Sequence, residues 1–336
     1  MLGTLAATTA LATAGRAADV VTVYSADGLH DGSPNWYETQ FDAFTQATGI
    51  RVQYIEGGSG SIVARVAREA SNPQADVLVT LPPYIQKAAA GGFLERSVPA
   101  EASFVPRALR DRDGRYVAIV GNYLDFIYDT SSHKGKPRTF MDFLDRRYRE
   151  KIQYSTPGQA GDGTAVMLEI FHAFGSKDAG FDYLKRLQEN NVGPSSSTGK
   201  LAALVDKGEL AIANGDLQMN GAQLLRNPNV EIFFPAGPNG RRSTLALPYF
   251  AGIVCGAPHA QAGKKLIAFL LSKAAQATVS SIGMGFPVRS DVVPVDATFR
   301  RLQRALRGLT VWTPDWRRVV DELPADVARW HDVTES

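Results

Sequence analysis

Short β-branched runs alternate with stretches of helical period along most of the chain. Residues 20–24 (VVTVY) read as a strand bounded by the polar loop 25–35. Tyr37, Phe41, Phe44 and Thr48 then recur at helical spacing up to Gly49, which predicts an amphipathic helix. Residues 51–55 read as a second strand, opening onto Gly57-Gly58-Ser59-Gly60-Ser61. Ile62, Val63, Val66, Ala67 and Ala70 share the apolar face of the helix that follows. Residues 76–80 (DVLVT) predict a third strand, followed by Pro82-Pro83 and a helix closed by Gly91-Gly92. Strands alternating with amphipathic helices predict βαβ units on a mostly parallel sheet.

The rest of the chain repeats the pattern with its own set of strands. Residues 116–120 and 126–129 read as extended, 140–149 as helix, and 152–155 as a strand before the loop 156–163. Helices are predicted over 164–174, 182–188 and 201–207, with extended segments at 192–197 and 210–213. The last of these runs into Asn214-Gly215-Asp216. Residues 245–255 are extended again, and 264–279 predict one strong helix. The expected fold class is α/β with two lobes, each a mostly parallel sheet flanked by helices. Extended segments near 121–125 and 248–251 would join them. Lobe 1 is expected over 19–121 and 249–295, and lobe 2 over 122–248 and 296–336, the latter ending in helices.

Composition narrows the class. With 336 residues, 44% hydrophobic and 21% charged, the chain is globular and long enough for two domains. A net charge of +2 gives no reason to expect a nucleic-acid or membrane-surface partner. The single cysteine, Cys255, excludes an internal disulfide and a cysteine-built zinc site. Residues 1–18 (MLGTLAATTALATAGRAA) are small and apolar and end in Gly15-Arg16-Ala17. They are expected to be the remnant of a secretory signal peptide, which implies export to the periplasm.

Three turns rich in Ser, Thr and Gly stand where a strand gives way to a helix: Gly57–Ser61, Gly161-Asp162-Gly163-Thr164 and Ser195–Gly199. Such turns place hydroxyls and free N–H groups at the strand ends where open α/β sheets bind ligands. Three of them predict a polar, anionic ligand between lobes, although each is also accounted for by helix capping. Carboxylates come from the loop carrying Ser25, Asp27 and Asp31, and from Asp216; Tyr37, Tyr249 and Phe250 supply aromatic faces. Carboxylate with aromatic is how an ammonium is held. The first turn is no dinucleotide fingerprint, Walker loop or nucleophile elbow, and none of the five histidines pairs at metal-ligand spacing. No cofactor, metal or catalytic residue is therefore expected. An α/β enzyme using Gly57–Ser61 for a cofactor stands as the alternative of a different class.

Val23-Tyr24-Ser25, Phe44–Ile50, Ala75–Val79, Asp142–Asp145, Lys207–Ala211 and Phe269–Ser272 resemble segments of the extracellular solute-binding proteins of ABC importers, in the type II branch that includes ferric-ion binders. More narrowly, Tyr24–Gly32, Glu56–Gly60 and Asn72–Pro83 are similar to periplasmic 2-aminoethylphosphonate-binding proteins. The resemblance implies two hinged lobes closing on a small ligand, docking on a permease, and a monomer. It implies an anion turn near Gly161–Thr164 and Ser197–Thr198. Where the ferric branch carries adjacent tyrosines this chain has Asp216-Leu217, which argues against ferric ion. On this reading Ser59, Gly60, Ser61, Gly163, Thr164, Ser197 and Thr198 donate to phosphonate oxygens. Asp27 and Asp216 face the ammonium, Tyr37 or Tyr249 packs on the linker, and Ser25 and Thr80 complete the rim of lobe 1. Another phosphonate, a phosphate ester, a polyamine or a metal ion is the competing ligand.

Overall fold

A computed structural model describes residues 20–26, 35–132 and 135–335. The expected signal segment 1–18 and Asp27 lie outside the described residues. The strands are β1 (Val20–Ala26), β2 (Arg51–Gly57), β3 (Val77–Thr80), β4 (Val117–Val120), β5 (Leu124–Asp129), β6 (Ile152–Gln153), β7 (Ile212–Asp216), β8 (Val230–Phe233), β9 (Ser243–Leu245), β10 (Tyr249–Ile253) and β11 (Thr310–Trp312). The α-helices are α1 (Trp36–Thr48), α2 (Ser59–Arg68), α3 (Tyr84–Ala90), α4 (Gly161–Phe174), α5 (Lys177–Leu187), α6 (Gly199–Asp206), α7 (Leu217–Leu224), α8 (Ala260–Leu270), α9 (Lys273–Ala277), α10 (Val279–Gly283), α11 (Ala297–Ala305) and α12 (Trp316–Thr334).

Two main sheets form two lobes. The first has the order β2-β1-β3-β10-β4 and the second β6-β7-β5-β8; β9 and β11 make a small separate pair. Both main sheets are mixed, and in each all strands but one run the same way; the reversed strand is β10 in the first and β5 in the second. In the first, β1 runs parallel to β2 and β3, but β10 is antiparallel to both β3 and β4. In the second only β6 and β7 are parallel, and β5 is antiparallel to β7 and β8. The physical reason is the crossing. β5 and β10 each enter a sheet directly from the other lobe, so no crossover helix sets their direction.

The two crossing segments are stitched together. Leu247 N–H donates to the Asn122 carbonyl at 2.8 Å, and Thr244 Oγ1 to the Leu124 carbonyl at 2.6 Å. In the first lobe Val21 and Val23 of β1 are buried with Phe41 and Phe44 of α1, the stripe that the helical spacing predicts. Trp330 is buried in α12 with its Nε1 on Tyr154, and Trp312 stacks on His172.

The expected helix over 264–279 is broken into α8, α9 and α10, because Ser272 adopts an extended conformation and caps α9 through the Ala275 N–H. Residues 140–149 form two short 3-10 turns, capped by Thr139 and Asp145. Residues 192–197 form no strand; Ser195 instead accepts from the Thr156 N–H at 2.8 Å.

Candidate functional site

The strand ends of both lobes face one another, and the two lobes touch along this seam. α2 starts at Ser59 with Gly58 before it, and no side chain caps it. α4 starts at Gly161 with Ala160 before it, and it also lacks a side-chain cap. These two N-termini meet. Gly60 N–H donates to the Gln159 carbonyl at 2.9 Å, and Ser59 Oγ stands 2.6 Å from where a Gly161 Cβ would be. A Cβ on Gly60 would run into the Gly158 carbonyl, so glycine is what allows the seam to close. Each helix start carries partial positive charge from its unpaired N–H groups. Neither end has a side-chain cap, but the Gln159 carbonyl already takes the Gly60 N–H and the buried Asp162 stands in the first turn of α4, so only the remaining N–H groups are offered to an anion.

The hydroxyls at this seam fall into two groups. Ser59 and Thr80 are buried, and neither Ser59 Oγ nor Thr80 Oγ1 has a hydrogen-bond partner among the described residues. Both belong to the first lobe, at the start of α2 and the end of β3. The Tyr37 hydroxyl is buried and likewise without a partner among the described residues. In the second lobe the hydroxyls are engaged. Thr164 Oγ1 lies 2.8 Å from Tyr84 Oη and accepts from the Gly158 N–H at 3.0 Å. Thr198 Oγ1 donates to Ser155 Oγ at 3.1 Å, and Asn214 Nδ2 donates to the same oxygen at 3.1 Å. Gly163 packs against the Ser155 carbonyl so closely that no side chain fits there.

The remaining expected residues are scattered. Ser25 is buried, its hydroxyl donating to the Ala26 carbonyl at 2.8 Å. Ser61 is exposed on α2, and Ser197, half-buried, receives the Ser195 hydroxyl on its carbonyl.

Acceptors gather where β5, β7 and α7 meet the crossing segments. Asp216 is fully buried and caps α7 through the Met219 N–H at 2.9 Å; Tyr249 Oη donates to its Oδ2 at 3.1 Å. The Tyr37 ring meets the Tyr249 ring edge-on, with centroids 5.9 Å apart. Burial raises the Asp216 carboxyl above the ordinary carboxylate range, opposed by the hydrogen bonds from Met219 and Tyr249. Burial, and then the Asp216 charge, push the Tyr37 phenol well up, so it stays protonated and able to donate.

Sequence reasoning missed Asp125. It is fully buried on β5, opposite Gly215, with Asn220 Nδ2 at 2.6 Å from Oδ1. Burial raises its carboxyl well above the usual range, and the nearby Asp216 charge adds to the rise. The available signal was one carboxylate inside the apolar run Leu124-Asp125-Phe126-Ile127. Among the described residues, no three His, Cys, Asp or Glu side chains cluster as a metal would need, and no helix is long and apolar enough to cross a membrane.

Comparisons with known proteins bear on the family and the fold. Residues 72–318 match the model of a family described as bacterial extracellular solute-binding protein. A Salmonella typhimurium protein named "Putative 2-aminoethylphosphonate-binding periplasmic protein" is 58% identical over 320 residues, 95% of this chain and 94% of that one. Among solved structures, the periplasmic binding protein AfuA from Actinobacillus pleuropneumoniae, with fructose-6-phosphate bound, superposes with a TM-score of 0.79 at 19% identity. That match covers 94% of this chain and 99% of the other. A periplasmic thiamin binding protein gives a TM-score of 0.77 at 17% identity, over 94% and 96% of the two chains. The two structures share the two-lobed fold, and the family match with the 58% relative supplies the membership: this chain belongs to the bacterial extracellular solute-binding proteins.

Proposed function

We propose that the protein captures 2-aminoethylphosphonate in the periplasm, as a monomer, and delivers it to the permease of an ABC importer without catalysing any reaction. The observation that carries this reading is the separation of donors and carboxylate at the seam. Two helix starts without side-chain caps, and the hydroxyls of Ser59 and Thr80 that have no partner among the described residues, suit phosphonate oxygens. Buried Asp216, with Tyr37 and Tyr249 against it, suits an ammonium on a short aliphatic linker. A ligand carrying both ends matches both sets. The name of the Salmonella relative supports the same ligand. The rim of lobe 2, with Gly163, Thr164, Ser197 and Thr198, frames the anion from the opposite side, and lobe closure brings the two rims together.

Calorimetric titration of the mature protein with 2-aminoethylphosphonate, ethylphosphonate, ethanolamine and inorganic phosphate tests the reading. The expected result is tight 1:1 binding of the first and at least a hundredfold weaker binding of the other three. Equal binding of phosphate, or no binding of 2-aminoethylphosphonate, overturns it.

A further inference from the structure

A second concavity is built from other residues than the seam. A groove of about 620 Å³ runs between the later part of α3, the segment 107–116 and the start of α12. That volume suits a small molecule. The second crossing segment supplies its floor through Ala246, Pro248 and Phe250, and no residue expected to bind the ligand at the seam lines it. Residue type alone groups Phe250 with Tyr37 and Tyr249 as one aromatic set, and the structure divides them. Tyr249 contacts Tyr37 and Asp216, whereas the Phe250 ring meets Tyr116 edge-on with centroids 5.3 Å apart.

The walls of the groove are cationic. Arg107, Arg110, Arg112 and Arg115 line it from lobe 1 and Arg317 from α12, against only two carboxylates, Asp111 and Asp315. Both carboxylates are engaged. Asp111 holds the Arg115 guanidinium at 2.8 Å, and Asp315 accepts from the Arg317 and Arg318 N–H groups at the start of α12. Arg110 Nη1 donates to the Ala102 carbonyl at 3.1 Å, and Arg107, Arg112 and Arg317 have no ion pair among the described residues. Tyr116 feels both walls. Burial first, and then the Asp111 charge, push its phenol up, while Gln86, Arg115 and Arg317 oppose the rise. Like charges around a concavity focus a positive potential within it, and guanidinium forks match phosphate and carboxylate oxygens in pairs.

We propose that this groove is a second binding site, for a small anion with two or more phosphate or carboxylate groups, held between Arg107 of lobe 1 and Arg317 of α12. The site is independent of which solute the seam takes. Two charged groups on the ligand answer the two walls, and the half-buried Trp316 with Phe250 offers an apolar surface to the part between them. α12 packs on α5 of lobe 2 and also reaches α3 of lobe 1. An anion held by both arginines therefore ties the lobes together in the arrangement in which α2 meets the Gln159 loop.

The test titrates pyrophosphate and citrate by calorimetry, at low ionic strength, into wild type, Arg107→Gln, Arg317→Gln and Ser59→Ala. Arg107 and Arg317 are exposed and form no ion pair among the described residues, so both variants are expected to melt as wild type does. The expected result is 1:1 binding of at least one of the two anions to wild type, unchanged within about threefold in Ser59→Ala and weakened at least about fivefold in each arginine variant. The anion that binds more tightly decides between phosphate and carboxylate groups. Raising the salt should weaken the binding, since the cations are reached from solvent. No binding of either anion to wild type overturns the site. A loss confined to one of the two arginine variants overturns the bridge between lobes. A loss in Ser59→Ala with both arginine variants equal to wild type places the anion at the seam and overturns the groove as its site.

Discussion

The two rims of the cleft are made from the same kinds of residue and do different work. Lobe 1 offers Ser59 and Thr80, lobe 2 offers Thr164 and Thr198, and all four hydroxyls are buried. In lobe 2 each has protein partners: Thr164 bonds Tyr84 across the seam, and Thr198 holds Ser155. In lobe 1 neither has a partner among the described residues. A hydroxyl already engaged at home contributes little to a ligand, because binding would exchange one hydrogen bond for another. A buried hydroxyl with no partner gains the full difference. The difference teaches that residue type alone marks both rims, while the lack of a partner marks the hydroxyls with most to gain from a ligand.

The strongest way to break the comparison is to hold the rims apart. Gly60→Ala sets a Cβ against the Gly158 carbonyl across the seam. Alanine also favours the helix interior over glycine by about 1 kcal/mol, so α2 itself does not suffer. The expected outcome is a loss of ligand affinity of at least about a hundredfold, with the melting temperature of the unliganded protein unchanged or raised. Titration calorimetry and a thermal melt check both halves. Affinity equal to wild type would mean that the contact between α2 and the Gln159 loop is not part of the bound state.

Much of the fold was legible in the sequence because it rests on local pattern. The stripe of Phe41 and Phe44 and the runs at β1, β2 and β3 form where periodicity places them. Strand direction was not legible. β5 and β10 are antiparallel to their neighbours because the chain crosses between lobes, and periodicity carries no information about crossing. At the candidate site, residue type picked out Ser59, Thr80, Tyr37, Tyr249 and Asp216, all of them buried, with the rings of Tyr37 and Tyr249 in contact. It gave no means of telling that Thr164 and Thr198 are engaged, since Tyr84 and Ser155 are 80 and 43 residues away. Asp125 was missed for a related reason. Its burial depends on Asn220, 95 residues later, and on a glycine that lets the two meet.

A smaller effect sharpens the contrast from the lobe 1 side. Ser59→Ala removes a hydroxyl with no partner among the described residues, so the unliganded fold loses no hydrogen bond. Its bond to a charged phosphonate oxygen would be worth about 1.5–3 kcal/mol. Affinity is therefore expected to fall by roughly tenfold or more, for 2-aminoethylphosphonate and ethylphosphonate alike, without a fall in melting temperature. Unchanged affinity for both ligands would remove Ser59 from the anion subsite and leave the two helix starts to hold it alone.

The smallest expected effect comes from the opposite rim. Thr198→Ala takes away the donor to Ser155 Oγ, but Asn214 Nδ2 still reaches that oxygen at 3.1 Å, so the network keeps one of its two donors. The predicted cost is about 1 kcal/mol of folding stability, with affinity within about threefold of wild type. Chemical denaturation reads the first quantity and calorimetry the second. The pairing of the two results matters more than either value. Lost stability with retained affinity places Thr198 in the frame of lobe 2, whereas retained stability with a tenfold loss of affinity places its hydroxyl on the ligand. In that second case the Ser155 bond is exchanged on binding, and the contrast between the rims would reduce to one of degree.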